Sequence, residues 1–135
     1  MSEEDFKNKS KEYWQEKLSP LQYQVCRRKA TEPAFSGEYD KHIENGLYEC
    51  VACGLDLFKS DSKFDSKTGW PSFFQPASES SLAYKKDRSI FLRARTEVLC
   101  SRCDSHLGHV FEDGPQPTGK RYCVNSAALK FKATD

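Results

Sequence analysis

Two Cys-x-x-Cys pairs, Cys50-Val51-Ala52-Cys53 and Cys100-Ser101-Arg102-Cys103, stand far apart in a chain of 135 residues. If all four sulfurs serve one ion, two distant turns must meet, and few folds allow that. Four thiolates at this spacing match a closed tetrahedral zinc site, each sulfur about 2.3 Å from the metal. With no open position the zinc is structural and ties two hairpins together, contributing on the order of 10 kcal/mol to folding. Gly54 and Asp104 each follow the second cysteine of a pair, where a left-handed backbone is expected. A redox-active pair or disulfides are the alternatives. The even pairing, and a start (Met-Ser-Glu-Glu-Asp) without an apolar leader, favour zinc in a reducing compartment.

The balance of 21 basic and 20 acidic residues gives a net charge of +1, so composition points to neither nucleic acid nor an anionic membrane. No apolar run reaches the ~20 residues of a membrane helix. A cytoplasmic monomer is the expectation. Trp14, Leu18, Leu21 and Val25 recur at helical steps. Ser19-Pro20, a good N-cap and N1 pair, divides that stretch into two short helices. Residues 1–20 are read as a helical extension and 21–135 as one domain. Beyond Pro33 the chain turns to strand patterns. Asn45-Gly46 is a hairpin signal. Alternation from Ile90 to Val98 predicts one long strand over about 89–99, and Tyr122, Val124, Leu129 and Phe131 suggest two more. Residues 60–89 read as loops around short strands.

The remaining thiols are Cys26 and Cys123. In a strand over 121–125, Arg121, Cys123 and Asn125 share one face while Tyr122 and Val124 point into the core. A neighbouring guanidinium favours the thiolate, so Cys123 is a candidate nucleophile; a thiol packed as a small hydrophobe is the alternative. His106-Leu107-Gly108-His109-Val110-Phe111 follows the second knuckle and supplies two groups able to protonate an oxyanion. Structural imidazoles are the alternative there, and the reading preferred for His42. Thr68-Gly69-Trp70-Pro71-Ser72-Phe73 is an aromatic turn. Its Trp70 suits a methyl-sized pocket, and its Phe73 and the following Phe74 suit a core plug.

In this order, those segments closely resemble the B-type methionine-R-sulfoxide reductases, over about Leu21 to Phe131, together with Thr31-Glu32-Pro33 and Phe35-Ser36-Gly37-Glu38-Tyr39. The resemblance implies a mainly β fold of two small antiparallel sheets with short N-terminal helices and a structural zinc site. It implies thiol-dependent reduction of methionine-R-sulfoxide in oxidised proteins, with the free amino acid as a further candidate substrate, and thioredoxin as reductant. By resemblance Cys123 is the nucleophile that becomes a sulfenic acid. His106 and His109 position or protonate the sulfoxide oxygen, Arg121 and Asn125 organise the site, and Trp70 packs on the substrate methyl with Phe111 as a further contact.

The chain departs from the family pattern at one place. Many members carry a second cysteine before Gly-Trp, where this sequence has Thr68. Cys26 is the one thiol left outside the metal set and is assigned the resolving role. Direct reduction of the sulfenic acid by an external thiol is the alternative. A zinc ribbon or a thiol peroxidase would explain part of these features, but neither needs Cys123, the paired histidines and Trp70 together.

Overall fold

Two serines start the two helices. In the computed structural model, which describes residues 5–87 and 95–134, helix α1 spans Lys11–Lys17 and α2 spans Pro20–Arg28. Ser10 Oγ accepts from the Tyr13 N–H at 3.1 Å. Ser19 and Gln22 form a reciprocal capping box with Pro20 at the first turn, and Lys29 ends α2 in the left-handed region. Trp14, Leu18 and Val25 are buried, whereas Leu21 is 51% exposed. The break at Ser19 changes the helix axis, so a stripe begun in α1 does not continue in phase through α2.

Among the described residues nine strands follow: β1 Gly46–Cys50, β2 Asp56–Lys59, β3 Lys63–Phe64, β4 Ser72–Phe73, β5 Leu82–Asp87, β6 Arg95–Cys100, β7 His106–Phe111, β8 Arg121–Val124 and β9 Leu129–Ala133. They form a three-stranded sheet, β2-β1-β9, and a six-stranded sheet, β3-β4-β8-β7-β6-β5. Every pairing is antiparallel. The mainly β architecture of two antiparallel sheets with short N-terminal helices is therefore as expected. The strand expected over 89–99 is present from Arg95; residues 88–94 lie outside the described residues.

Asn45-Gly46 does not turn a hairpin. Strand β1 begins at Gly46 and pairs with β2 on one side and β9 on the other. Gly46 is absent from the positive-φ glycines. Its missing side chain serves a close approach instead, because a Cβ there would strike the Lys132 carbonyl and the Phe131 ring. A local turn signal cannot distinguish these two uses of glycine.

Aromatic rings join the sheets. Tyr48 of β1 and Phe58 of β2 meet Phe73 of β4, with ring centroids 5.1 and 4.3 Å apart, and Phe58 lies 5.9 Å from Tyr122 of β8. Tyr48, Phe58 and Phe73 are 0% exposed, and burying rings of this size dominates core energetics. Phe73 is the core plug expected of it, whereas Phe74, expected to do the same, is only half-buried. On β8, Tyr122 and Val124 are buried while Arg121 and Cys123 are half-buried. The alternation read from the sequence thus places Cys123 on the face away from the aromatic core.

Candidate active site and metal centre

Each Cys-x-x-Cys pair sits where a strand ends. Cys50 closes β1 and Cys100 closes β6. After each, the backbone curls back: Gly54 N–H donates to the Cys50 carbonyl at 2.8 Å, and Asp104 N–H donates to the Cys100 carbonyl at 2.9 Å. Gly54 has φ +83° and Asp104 φ +61°, the left-handed pair expected. The four sulfurs lie within 4.8 Å of one another. Cys50 and Cys103 Sγ are 3.6 Å apart, and Cys53 and Cys100 Sγ are 3.5 Å apart. Sulfurs 2.3 Å from a common tetrahedral centre stand about 3.8 Å apart, so this donor set fits zinc, and the separations are far too long for disulfides. Cations surround the cluster: Arg27 donates to the Cys103 carbonyl at 2.8 Å and Arg102 to the Cys53 carbonyl at 3.0 Å. The cluster links the three-stranded sheet to the six-stranded one through β1 and β6.

The second site is a cavity of about 310 Å³ on the six-stranded sheet. Cys123 of β8 lies opposite His109 of β7 in the register, and Arg121 lies opposite Phe111. These four residues line the cavity with Trp70, Thr68, Thr31, Arg95 and Asn125. The Arg121 guanidinium stacks 4.4 Å from the Phe111 ring centroid. Its far side holds Asp113, with Nε to Oδ1 at 2.9 Å. Arg121 is thereby fixed beside the thiol. Burial pushes the Cys123 thiol above the usual range, and the Arg121 charge, a Thr68 hydrogen bond and an Arg121 hydrogen bond oppose that. The buried Glu32 carboxylate adds a smaller upward push.

The two histidines play different structural parts. His109 reaches the cavity, and its Nε2 lies 2.8 Å from Asp87 Oδ2, which Arg95 also contacts at 3.1 Å. His106 is 3% exposed and does not line the cavity. Its Nδ1 lies 2.7 Å from Glu97 Oε2, and its ring centroid is 5.5 Å from that of His109. Burial draws the His106 pKa down, while the hydrogen bond and charge of Glu97 resist this. Lys29 Nζ, 3.3 Å from Glu97 Oε1, completes the group. Asn125 lines the cavity with its amide engaged: Nδ2 donates to the Leu107 carbonyl at 3.0 Å and Oδ1 accepts from the Glu32 N–H at 3.0 Å.

Gly108 makes the β7–β8 contact possible. A Cβ at Gly108 would strike the Cys123 carbonyl oxygen. Gly108→Ala is therefore expected to lower the unfolding free energy by roughly 1–3 kcal/mol or more, as overpacking does, measured by urea titration.

The structure does not bring Cys26 to the cavity. Cys26 is 2% exposed on α2, and its thiol lies beside Ser105, which is itself 3.1 Å from Cys103 Sγ. Burial, with the charge of Cys103 adding to it, pushes the Cys26 thiol up to about 12. Cys26 is not among the residues that line the cavity with Cys123. Its assignment by elimination carried no information about which face of α2 it occupies. Thr68, Glu32, Asp87 and Arg95 were not assigned to the site from the sequence. Thr68 and Arg95 line the cavity, while Glu32 and Asp87 hold residues that do, across contacts remote in the chain.

A cavity that holds a thiol, a guanidinium and an imidazole, on a β scaffold whose two sheets meet at a four-cysteine cluster able to hold a metal ion, defines a thiol-based site. Residues 18–133 match the SelR domain, and the chain belongs to that family. It is 59% identical over 124 residues to the peptide methionine sulfoxide reductase MsrB of Bradyrhizobium diazoefficiens, covering 92% of this chain and 88% of that one. It is 56% identical over 127 residues to the MsrB of Methanosarcina barkeri, covering 94% and 89%. The Mis18 'Yippee-like' domain shares the fold, with a TM-score of 0.54 at 18% identity, over 68% of this chain and 99% of that domain. Among the described residues no helix is long and apolar enough to cross a membrane.

Proposed function

We propose that this protein reduces the R epimer of methionine sulfoxide in oxidised polypeptides, with Cys123 as nucleophile. The supporting observation is the cavity itself: Cys123 sits between Arg121 and His109 against Trp70 and Phe111, on a chain whose relatives are named for this activity. The Cys123 thiolate attacks the sulfoxide sulfur while a proton moves to the sulfoxide oxygen. In the adduct so formed the hydroxyl passes from the substrate sulfur to Cys123 Sγ as the sulfur–oxygen bond and the new sulfur–sulfur bond both break, releasing methionine and leaving Cys123 as a sulfenic acid. His109, held by Asp87, is the proton donor in this reading, since it is the histidine that faces the cavity. His106 supports it from behind. Trp70 and Phe111 enclose the substrate methyl, and Asn125 closes the wall.

A dithiol then returns the enzyme to its starting state, taking the oxygen as water and leaving as a disulfide. Thioredoxin is the expected dithiol. With Cys26 enclosed beside Ser105, the reading that fits best is direct attack by the external thiol on the Cys123 sulfenic acid. Peptide mapping after one turnover without reductant tests this: no Cys26–Cys123 disulfide is expected, and its appearance would restore the resolving role to Cys26. The four paired cysteines would hold zinc as a structural clamp.

The electrostatics of Cys123 carry a pH prediction. Burial raises its pKa, so the thiolate fraction and the alkylation rate increase as pH rises through that value. Arg121 opposes the shift. Arg121→Ala should therefore raise the pKa further and slow iodoacetamide alkylation at pH 7 by about three- to tenfold. An unchanged rate would remove Arg121 from thiol activation. The function itself is tested by assaying the R and S epimers separately with dithiothreitol. Activity confined to the R epimer is expected, and equal turnover of both epimers would reject the reading.

A further inference from the structure

Glu32 is 2% exposed and lies on the irregular segment between α2 and β1. Burying a carboxylate is costly unless partners hold it. Its Oε1 accepts from the Ala127 N–H at 2.8 Å, anchoring it to the turn that follows β8. Its Oε2 has no protein partner, and Gly37 passes so closely that a Cβ there would strike it. The backbone of this residue reaches the cavity in two directions. Its N–H donates to Asn125 Oδ1 at 3.0 Å. Its carbonyl accepts from the Trp70 indole Nε1–H at 2.9 Å. One peptide segment therefore spans the aromatic wall and the amide wall of the cavity.

We propose that Glu32 is a positioning residue for the sulfoxide pocket: its carboxylate pins residue 32 to the turn at Ala127, and the pinned backbone sets Trp70 and Asn125 around Cys123. The proposal rests on the reductase reading and adds a residue to it. Each backbone bond is worth only about 1 kcal/mol net on its own. Further along, the segment is tied by the Phe35 N–H to the Gly69 carbonyl at 2.8 Å and by the Tyr39 N–H to Ser126 Oγ at 3.2 Å, but neither fixes residue 32 itself, and a misplacement of about 1 Å can cost on the order of a hundredfold in rate. The carboxylate supplies residue 32 with a third hydrogen bond, outside the cavity.

The test compares Glu32→Ala with Glu32→Gln. Glutamine keeps an acceptor for the Ala127 N–H, while alanine removes it. In Glu32→Ala, kcat/KM is expected to fall about thirtyfold, which is ~2 kcal/mol at 1.4 kcal/mol per tenfold. Glu32→Gln should stay within about threefold of wild type by the same measure. A second readout needs no turnover. The chain has two tryptophans, so in a Trp14→Phe background acrylamide quenching reports on Trp70 alone, and quenching should increase in Glu32→Ala. Full activity in Glu32→Ala, or an equal loss in Glu32→Gln, would overturn the anchoring role. If Glu32→Ala does not fold, Glu32→Asp decides, since the shorter side chain keeps the charge but draws the carboxylate back from the Ala127 N–H. Reduced kcat/KM with increased quenching supports the proposal, and unchanged values overturn it. A wild type without reductase activity would remove the functional reading and leave quenching to decide the anchor.

Discussion

Cys123→Ser is expected to reduce sulfoxide turnover by about three orders of magnitude or more, the usual consequence of removing a nucleophile. The chemistry leaves no substitute. A serine hydroxyl is not ionised near neutrality, and it cannot accept the sulfoxide oxygen as a sulfenic acid. Cys123 is half-buried at the cavity face, and its cross-strand partner His109 is held by Asp87 independently of the thiol. The variant should therefore fold, retain its urea midpoint and still bind substrate. Loss of activity with the fold intact is the informative result. Comparable activity in the variant would mean that another thiol carries the reaction.

Opening the metal cluster should have the largest effect on stability. The cluster joins the knuckle after β1 to the knuckle after β6, one from each sheet, and its four sulfurs lie within 4.8 Å of one another. Metal binding at four thiolates contributes on the order of 10 kcal/mol to folding, comparable to the whole stability of a domain this size. Cys50→Ser, or treatment with a strong chelator, is expected to unfold the protein or lower its Tm by tens of degrees, at roughly 4–8 °C per kcal/mol for smaller domains and somewhat less here. Elemental analysis should find one zinc per chain before treatment. A metal-free protein with an unchanged Tm would show that the aromatic contact between sheets suffices without the clamp. Activity should fall with the fold, because β6 and β7 carry the knuckle at one end and His109 with its partners further along.

Signals that act locally were the legible ones. The left-handed turns at Gly54 and Asp104, the Ser19 cap, and the two faces of β8 all depend on neighbours within a few residues. So did the grouping of cysteines into pairs. Five of the catalytic and substrate residues named from the sequence together with Cys123, namely His109, Arg121, Asn125, Trp70 and Phe111, line one cavity with it. His106 is not among the lining residues, in keeping with its odd spacing from His109 along one strand, where faces alternate. The illegible features depend on contacts across the chain. Glu32 is an acidic residue in a loop, which ordinarily faces water, and only the fold gives its carboxylate the Ala127 N–H. Asp87 and Arg95 meet His109 because β5, β6 and β7 are adjacent. Cys26 could not be placed from its number on α2, and Asn45-Gly46 gave a turn signal where the fold uses glycine for close packing.

The central claim is that sulfur 123 takes the sulfoxide oxygen. It is tested most directly by one turnover without reductant, with methionine quantified and the protein trapped with dimedone before mass analysis. The account predicts about one methionine per chain and a single dimedone adduct on the peptide containing Cys123, the mark of a sulfenic acid. Methionine formed with that peptide unmodified, or an adduct placed on any other cysteine, would contradict it.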